Sequence, residues 1–128
     1  MTNAILIVDD EEQVRTLLST LLRRNGFETV TAESAERAIA MMELENYPLV
    51  FIDFQLPGMK GDQLATKIRQ EKPATILFSI TGMTSVFTLI RCREAGFDDY
   101  FSKPFKLNIL IDAVQVAFKR IERWRSIS

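Results

Sequence analysis

The 128-residue chain contains no histidine and only one cysteine, Cys92. The first absence removes Ser-His-Asp and Cys-His catalysis. Together they leave too few soft ligands for a structural zinc site. Any metal here is held by oxygens, which suits Mg²⁺ or Mn²⁺. A lone cysteine forms no internal disulfide, as expected of a protein from a reducing cytosol. Apolar runs such as AILIV and LVFI are far too short to span a bilayer, so no membrane contact is expected. Met1 is followed by a polar pair with no basic segment, so no secretory signal is expected. No excess of either charge sign is present: 16 basic residues face 17 acidic ones. Such a balance makes no field that draws in nucleic acid or an anionic membrane.

What the sequence does hold is one domain's worth of apolar material, 47% of residues. It is laid out in two alternating periods. AILIVD (4–9), FETVTA (27–32), LVFID (49–53), TILFSIT (75–81) and DDYFS (98–102) have strand length. Between and after them come helical stripes over 11–26, 34–46, 61–73, 84–96 and about 105–124. Val14, Leu17, Leu18, Leu21 and Leu22 form the first stripe, and Ile109, Leu110, Val114, Ala117 and Ile121 the last. Glu11 and Glu12 open the first helix, Arg23 and Arg24 close it, and Gly26 suits a left-handed cap. Ser34 is placed to cap the second, and Pro48 follows its end.

Strands without polar alternation are buried on both faces. Five of them alternating with five helices predict an α/β fold, a parallel sheet wound with helices on both sides. Right-handed crossovers favour the flavodoxin-like order 2-1-3-4-5. Ligands of such sheets sit beyond the carboxyl ends of the strands, at the switch between strands 1 and 3.

Polar groups gather at those ends. Strand 1 ends in Asp9 and Asp10, strand 3 in Asp53, and strand 4 in Thr81 before Gly82; strand 5 leads into Lys103 and Pro104. Each has an ordinary alternative: Asp10 as a helix N-cap, Asp53 as a turn residue, Thr81 as a strand residue, Lys103 as a solvated charge. Jointly they are harder to dismiss. Three carboxylates in one crevice raise each other's pKa, and a divalent cation with a lysine neutralises them without histidine.

With these residues in view, the chain resembles the receiver domain of two-component response regulators, including chemotaxis regulators, over nearly its whole length. The matching pieces are VDDEE (8–12), DFQLPGMKG (53–61), SITG (79–82) and AGFDDYFSKPF (95–105). The resemblance implies a single receiver domain with its core at about 3–122, and a tail or the start of a linker at 123–128. It implies that Asp53 accepts a phosphoryl group. Asp10, Asp53 and the backbone carbonyl of Gln55 would hold Mg²⁺, or Mn²⁺, with Asp9 acting through water. Thr81 and Lys103 would bind the phosphoryl oxygens, helped by the backbone of Gly82 and Met83. Tyr100 would be the aromatic switch, and the Lys103–Pro104 bond is expected to be cis.

The implied protein is a cytoplasmic signalling switch, not a turnover enzyme, although it catalyses its own phosphotransfer and dephosphorylation. Its partner is a histidine kinase or a histidine phosphotransfer protein. Its output surface is the last two helices and strand 5, binding a partner or a second copy after phosphorylation. Phe87 on that surface either packs inward or serves as an exposed anchor. Met83 is expected to hinder the attacking water, and Gln55 to orient it. The tail FKRIERWRSIS is a solvated helix end or a linker to an effector. The alternatives are an Mg²⁺-dependent aspartate-nucleophile phosphatase or a receiver fragment of a larger regulator or hybrid kinase. The phosphatase class wants a second acid at position 55, where Gln55 stands. An FMN binder is disfavoured because DDEEQ would repel the cofactor's phosphate.

Overall fold

A computed structural model describes residues 2–82 and 85–127. Five strands, β1 (Ile5–Val8), β2 (Thr29–Ala32), β3 (Leu49–Asp53), β4 (Ile76–Thr81) and β5 (Asp99–Ser102), alternate with five helices. These are α1 (Glu12–Arg24), α2 (Ala35–Leu44), α3 (Gly61–Glu71), α4 (Val86–Ala95) and α5 (Leu107–Ile127). The sheet order is β2-β1-β3-β4-β5 and every pairing is parallel, as the alternating pattern predicts. β1 carries β2 on one edge and β3 on the other, so the chain changes winding direction there.

β1, β3 and β4 are buried at every residue. Successive side chains of a strand point to opposite faces, and two cores result. Leu6, Val8, Val50, Ile52 and Leu77 meet Ala35, Ala38 and Leu64 of α2 and α3 and Cys92 of α4. Ile5, Ile7, Leu49, Phe51, Phe78 and Ile80 meet Leu18 and Leu22 of α1 and Leu110, Val114 and Ala117 of α5. On that second face Phe51, Phe78 and Phe101 form a row across β3, β4 and β5, with ring centroids 5.3–6.2 Å apart.

Local signals set the helix ends. Ser34 Oγ accepts from the Arg37 N–H, and Ser85 Oγ from the Thr88 N–H, each 3.1 Å away. Gly26 (φ +89°) and Gly96 (φ +101°) take the left-handed backbone that a helix exit requires.

Four expectations are refined. Leu17 lies half in solvent, leaving Leu18 and Leu22 to fill the core. Ile109 is likewise exposed, and Ile111 is buried in its place. A long helix on one side of a sheet buries a narrower stripe than its apolar content offers. Phe87 is 80% exposed, which selects the outward alternative. The last helix continues through the tail to Ile127. No helix among the described residues is long and apolar enough to cross a membrane.

Candidate functional site

The winding reversal leaves a crevice at the carboxyl ends of β1 and β3, and the fold brings four acids there. Carboxylate oxygens of Asp9, Asp10, Glu11 and Asp53 lie within 4.8 Å of one another. β1 delivers Asp9 and Asp10, and β3 delivers Asp53, because both strands stop at the same level of the sheet. The loop after β5 brings Lys103, whose N–H donates to the Thr81 carbonyl at 2.8 Å. The Lys103–Pro104 bond is cis, as expected.

Asp9 and Asp53 are buried, while Asp10 and Glu11 are exposed. One oxygen of each buried acid is held by the chain itself. Asp9 Oδ1 accepts from the Glu11 N–H at 2.8 Å, and Asp53 Oδ1 from the Gln55 N–H at 3.0 Å. The other oxygens face the ammonium of Lys103. Nζ lies 3.1 Å from Asp9 Oδ2, 3.1 Å from Glu11 Oε1 and 3.5 Å from Asp53 Oδ2. The contact with Asp9 is one of charge alone: Oδ2 is wholly buried and receives no hydrogen bond. Asp10 does not cap α1: the N-cap position is Glu11, and no side chain caps the helix there.

The titration of these groups follows. Burial pushes the Asp9 carboxyl up to about 6; the Glu11 N–H and Lys103 oppose the rise, and Asp53 adds to it. Burial also raises Asp53, against the pull of the Gln55 N–H and Lys103, with Asp10 adding to the rise. For Lys103, burial alone would lower the ammonium. The carboxylates of Asp53, Glu11 and Asp9 outweigh it, and the balance lies above the ordinary lysine value. This is charge that one lysine does not fully compensate.

The site fits a hard divalent cation. All its donors are oxygens, several converge within reach of one ion, and a buried carboxylate oxygen of Asp9 lacks a hydrogen bond. Asp10 and Glu11 are exposed, so water can complete the shell from that side.

The floor beneath is tightly built. A Cβ at Gly61 would sit 2.1 Å from the Asp53 carbonyl oxygen and 2.7 Å from the Phe54 Cα. Only glycine lets α3 start against the end of β3. Beyond Asp53, Arg91 of α4 reaches the Asp62 carboxylate at 3.0 Å and stands 5.8 Å over the Phe54 ring.

Thr81 is fully buried at the end of β4 and pairs in register with Ser102. Tyr100, in register with Ser79, is half-buried against the core beneath α4. Thr81 and Ser79 share one sheet face by the two-residue period, so Thr81 and Tyr100 lie on the same side. A Cβ on Gly82 would meet nothing within 4 Å, so the space beside it is open. Met83 lies outside the described residues. Glu11 is the one member of the cluster that sequence reasoning missed. The acidic run Asp9–Glu12 was the available signal, but helix opening already accounted for Glu11.

Comparison with known proteins agrees with this fold. Residues 5–115 match the family model described as the response regulator receiver domain. The transcriptional regulatory protein SrrA of Staphylococcus aureus is 35% identical over 122 residues, 95% of this chain and 50% of that protein. The chain thus spans about half the length of the curated relatives it matches. Among solved structures, a CheY-like receiver domain protein from Methanospirillum hungatei superposes with a TM-score of 0.88 at 28% identity, covering 96% of this chain and 98% of that one. A Francisella response regulator receiver domain gives 0.87 at 27% identity, covering 94% and 99%.

Proposed function

This chain belongs to the response regulator receiver domain family of two-component systems, and on that premise we propose that Asp53 takes a phosphoryl group from a phosphohistidine. The observation that carries the reading is the pairing of a buried, charge-stressed Asp53 with Lys103 Nζ 3.5 Å away, beside an oxygen cluster suited to Mg²⁺. The donor is a histidine kinase or histidine phosphotransfer protein, since this chain has no histidine. The module works as a switch, not as a turnover enzyme, and a cytoplasmic location goes with this reading.

In the step itself, an Asp53 carboxylate oxygen forms a bond to phosphorus. The P–N bond to the donor imidazole breaks, and its electron pair stays on the imidazole nitrogen. Positioning and electrostatics carry most of such a transfer. Lys103 faces the oxygens where charge collects. The Gln55 N–H holds one Asp53 oxygen in place and leaves Oδ2 to react. Mg²⁺, held by Asp10, Asp53 and the Gln55 carbonyl with Asp9 behind, would supply charge screening between anionic nucleophile and anionic donor.

The output is a population shift. A phosphoryl group at Asp53 adds charge and acceptor oxygens, and Thr81 turns its hydroxyl toward them. The space it vacates lies on the face that Tyr100 already packs against. α4 is suited to respond. It buries only Thr88, Cys92 and Ala95, and it exposes Val86, Phe87 and Ile90. The α4–β5–α5 surface then binds its target or a second copy of the chain.

The test is incubation with acetyl phosphate and Mg²⁺, followed by mass spectrometry. A base-labile adduct is expected that disappears in Asp53→Asn and without the metal. An adduct that persists in Asp53→Asn would end the assignment. Faster amide exchange in α4 upon phosphorylation would support the output surface.

A further inference from the structure

Glu11 has two ordinary explanations, and the structure supports neither. At the N-terminus of α1 its side chain could cap the helix, but it makes no cap hydrogen bond. As an acid near the helix dipole it could simply point into water. Instead its side chain, 59% exposed, crosses to a lysine 92 residues away and ends 3.1 Å from Nζ. Holding a long exposed side chain in one place costs rotamer entropy, so the pairing is worth explaining.

Its consequence lies in the distances. An ammonium has three donors to distribute. Lys103 donates to Glu11 at 3.1 Å and, less closely, to Asp53 at 3.5 Å, and its charge faces the Asp9 carboxylate at 3.1 Å. Yet Asp53 is the residue it must serve when a phosphoryl group arrives. Asp9 is buried and fixed by the Glu11 N–H, so its hold on the lysine is built into β1. Glu11 is the adjustable member. It is exposed, whereas Asp9 and Asp53 are buried, so among the described acids facing Lys103 it is the one that can turn into solvent.

We propose that Glu11 is a positioning residue of the phosphotransfer site, holding Lys103 on the Asp9 side at rest and releasing it to Asp53 when the site loads. The inference rests on the reading of Asp53 as phosphoacceptor. Release needs no change of backbone: a rotation of the Glu11 side chain suffices. A second effect goes with it, because an exposed carboxylate at the crevice mouth repels an anionic donor.

Two variants separate the roles. Glu11→Gln removes the charge and keeps the reach. Glu11→Asp keeps the charge but is one methylene too short to hold Nζ. If the side chain restrains Lys103, both variants phosphorylate about 3–10 times faster with acetyl phosphate, and Glu11→Asp keeps wild-type Mg²⁺ affinity by calorimetry. If Glu11→Asp matches wild type while Glu11→Gln is faster, only charge at the mouth matters and the positioning role is overturned. Unchanged rates in both overturn it as well.

A readout free of phosphorylation distinguishes this failure from failure of the phosphoacceptor reading. The side-chain ¹⁵N resonance of Lys103, recorded without metal, is expected to move more in Glu11→Asp than in Asp53→Asn. A larger shift in Asp53→Asn overturns the resting arrangement, whether or not the protein takes phosphate. Wild-type protein that takes no phosphate, with the Glu11→Asp shift intact, refutes the phosphoacceptor reading alone.

Discussion

The two ends of the sheet treat charge in opposite ways. At the amino end, cations are spent on the fold. Arg69 donates to the carbonyls of Gly96, Pro73 and Thr75 and to the Asp98 carboxylate. Asp98 in turn accepts from the Leu77 N–H. Lys72 donates to the Met42 and Glu45 carbonyls and to the Asn46 side chain. Arg69 of α3 and Lys72 just past its end thereby tie α2, β4 and the α4–β5 turn together. At the carboxyl end, three of four clustered acids share one lysine, and a buried oxygen goes without a hydrogen bond. One end is satisfied and structural. The other is left charged, at a cost in stability that a cation or a phosphoryl group can relieve.

The comparison can be broken most severely through the floor of the reactive end. Gly61→Ala is expected to destabilise by about 3–4 kcal/mol in urea unfolding, because the new methyl meets backbone that cannot move aside. At the satisfied end, Arg69→Met strands the Gly96 and Thr75 carbonyls. A loss of about 2–3 kcal/mol is expected, with amide exchange rising first around Gly96.

The charged end predicts the opposite sign. Folding raises the Asp9 pKa from 3.8 to about 6, so the native state binds that proton more tightly than the unfolded chain. Its contribution to stability is full below pH 3.8 and lost as pH climbs through about 6. In metal-free buffer Asp9→Asn should therefore stabilise the protein at pH 7–8, by at most about 3 kcal/mol. The gain should vanish below pH 4 and shrink with added Mg²⁺. A destabilised Asp9→Asn at pH 7.5 would contradict the idea that this acid is a burden. The smallest effect belongs to Phe87→Ser on the exposed side of α4. It should change stability by less than about 0.5 kcal/mol, while weakening whatever the phosphorylated face binds.

The satisfied end was the less legible of the two. Arg69 and Lys72 sit among polar residues at the end of α3 and look like surface charges in the sequence. Their partners are main-chain carbonyls, which carry no sequence signal. The reactive end was visible because carboxylates at the ends of buried strands violate the apolar pattern around them. Even there the reading was incomplete. Asp10 suits a helix cap in sequence, yet the N-cap position falls on Glu11, whose side chain turns away to Lys103. Leu17 and Ile109 belong to apolar stripes yet stand half in solvent, because helical period marks a stripe but not how much of it the sheet covers.

The alternation of strand and helix periods, with strands apolar on both faces, was enough to determine a parallel sheet and its order, since burial and chain handedness leave few other arrangements. The same pattern determined which residues stop at the carboxyl rim. Only the tertiary structure decided how one ammonium divides itself among Asp9, Glu11 and Asp53, and which side of α4 is left in water. Both depend on distances of a few tenths of an ångström, or on rotation about a helix axis, between segments far apart in the chain. Local propensity carries no information about either.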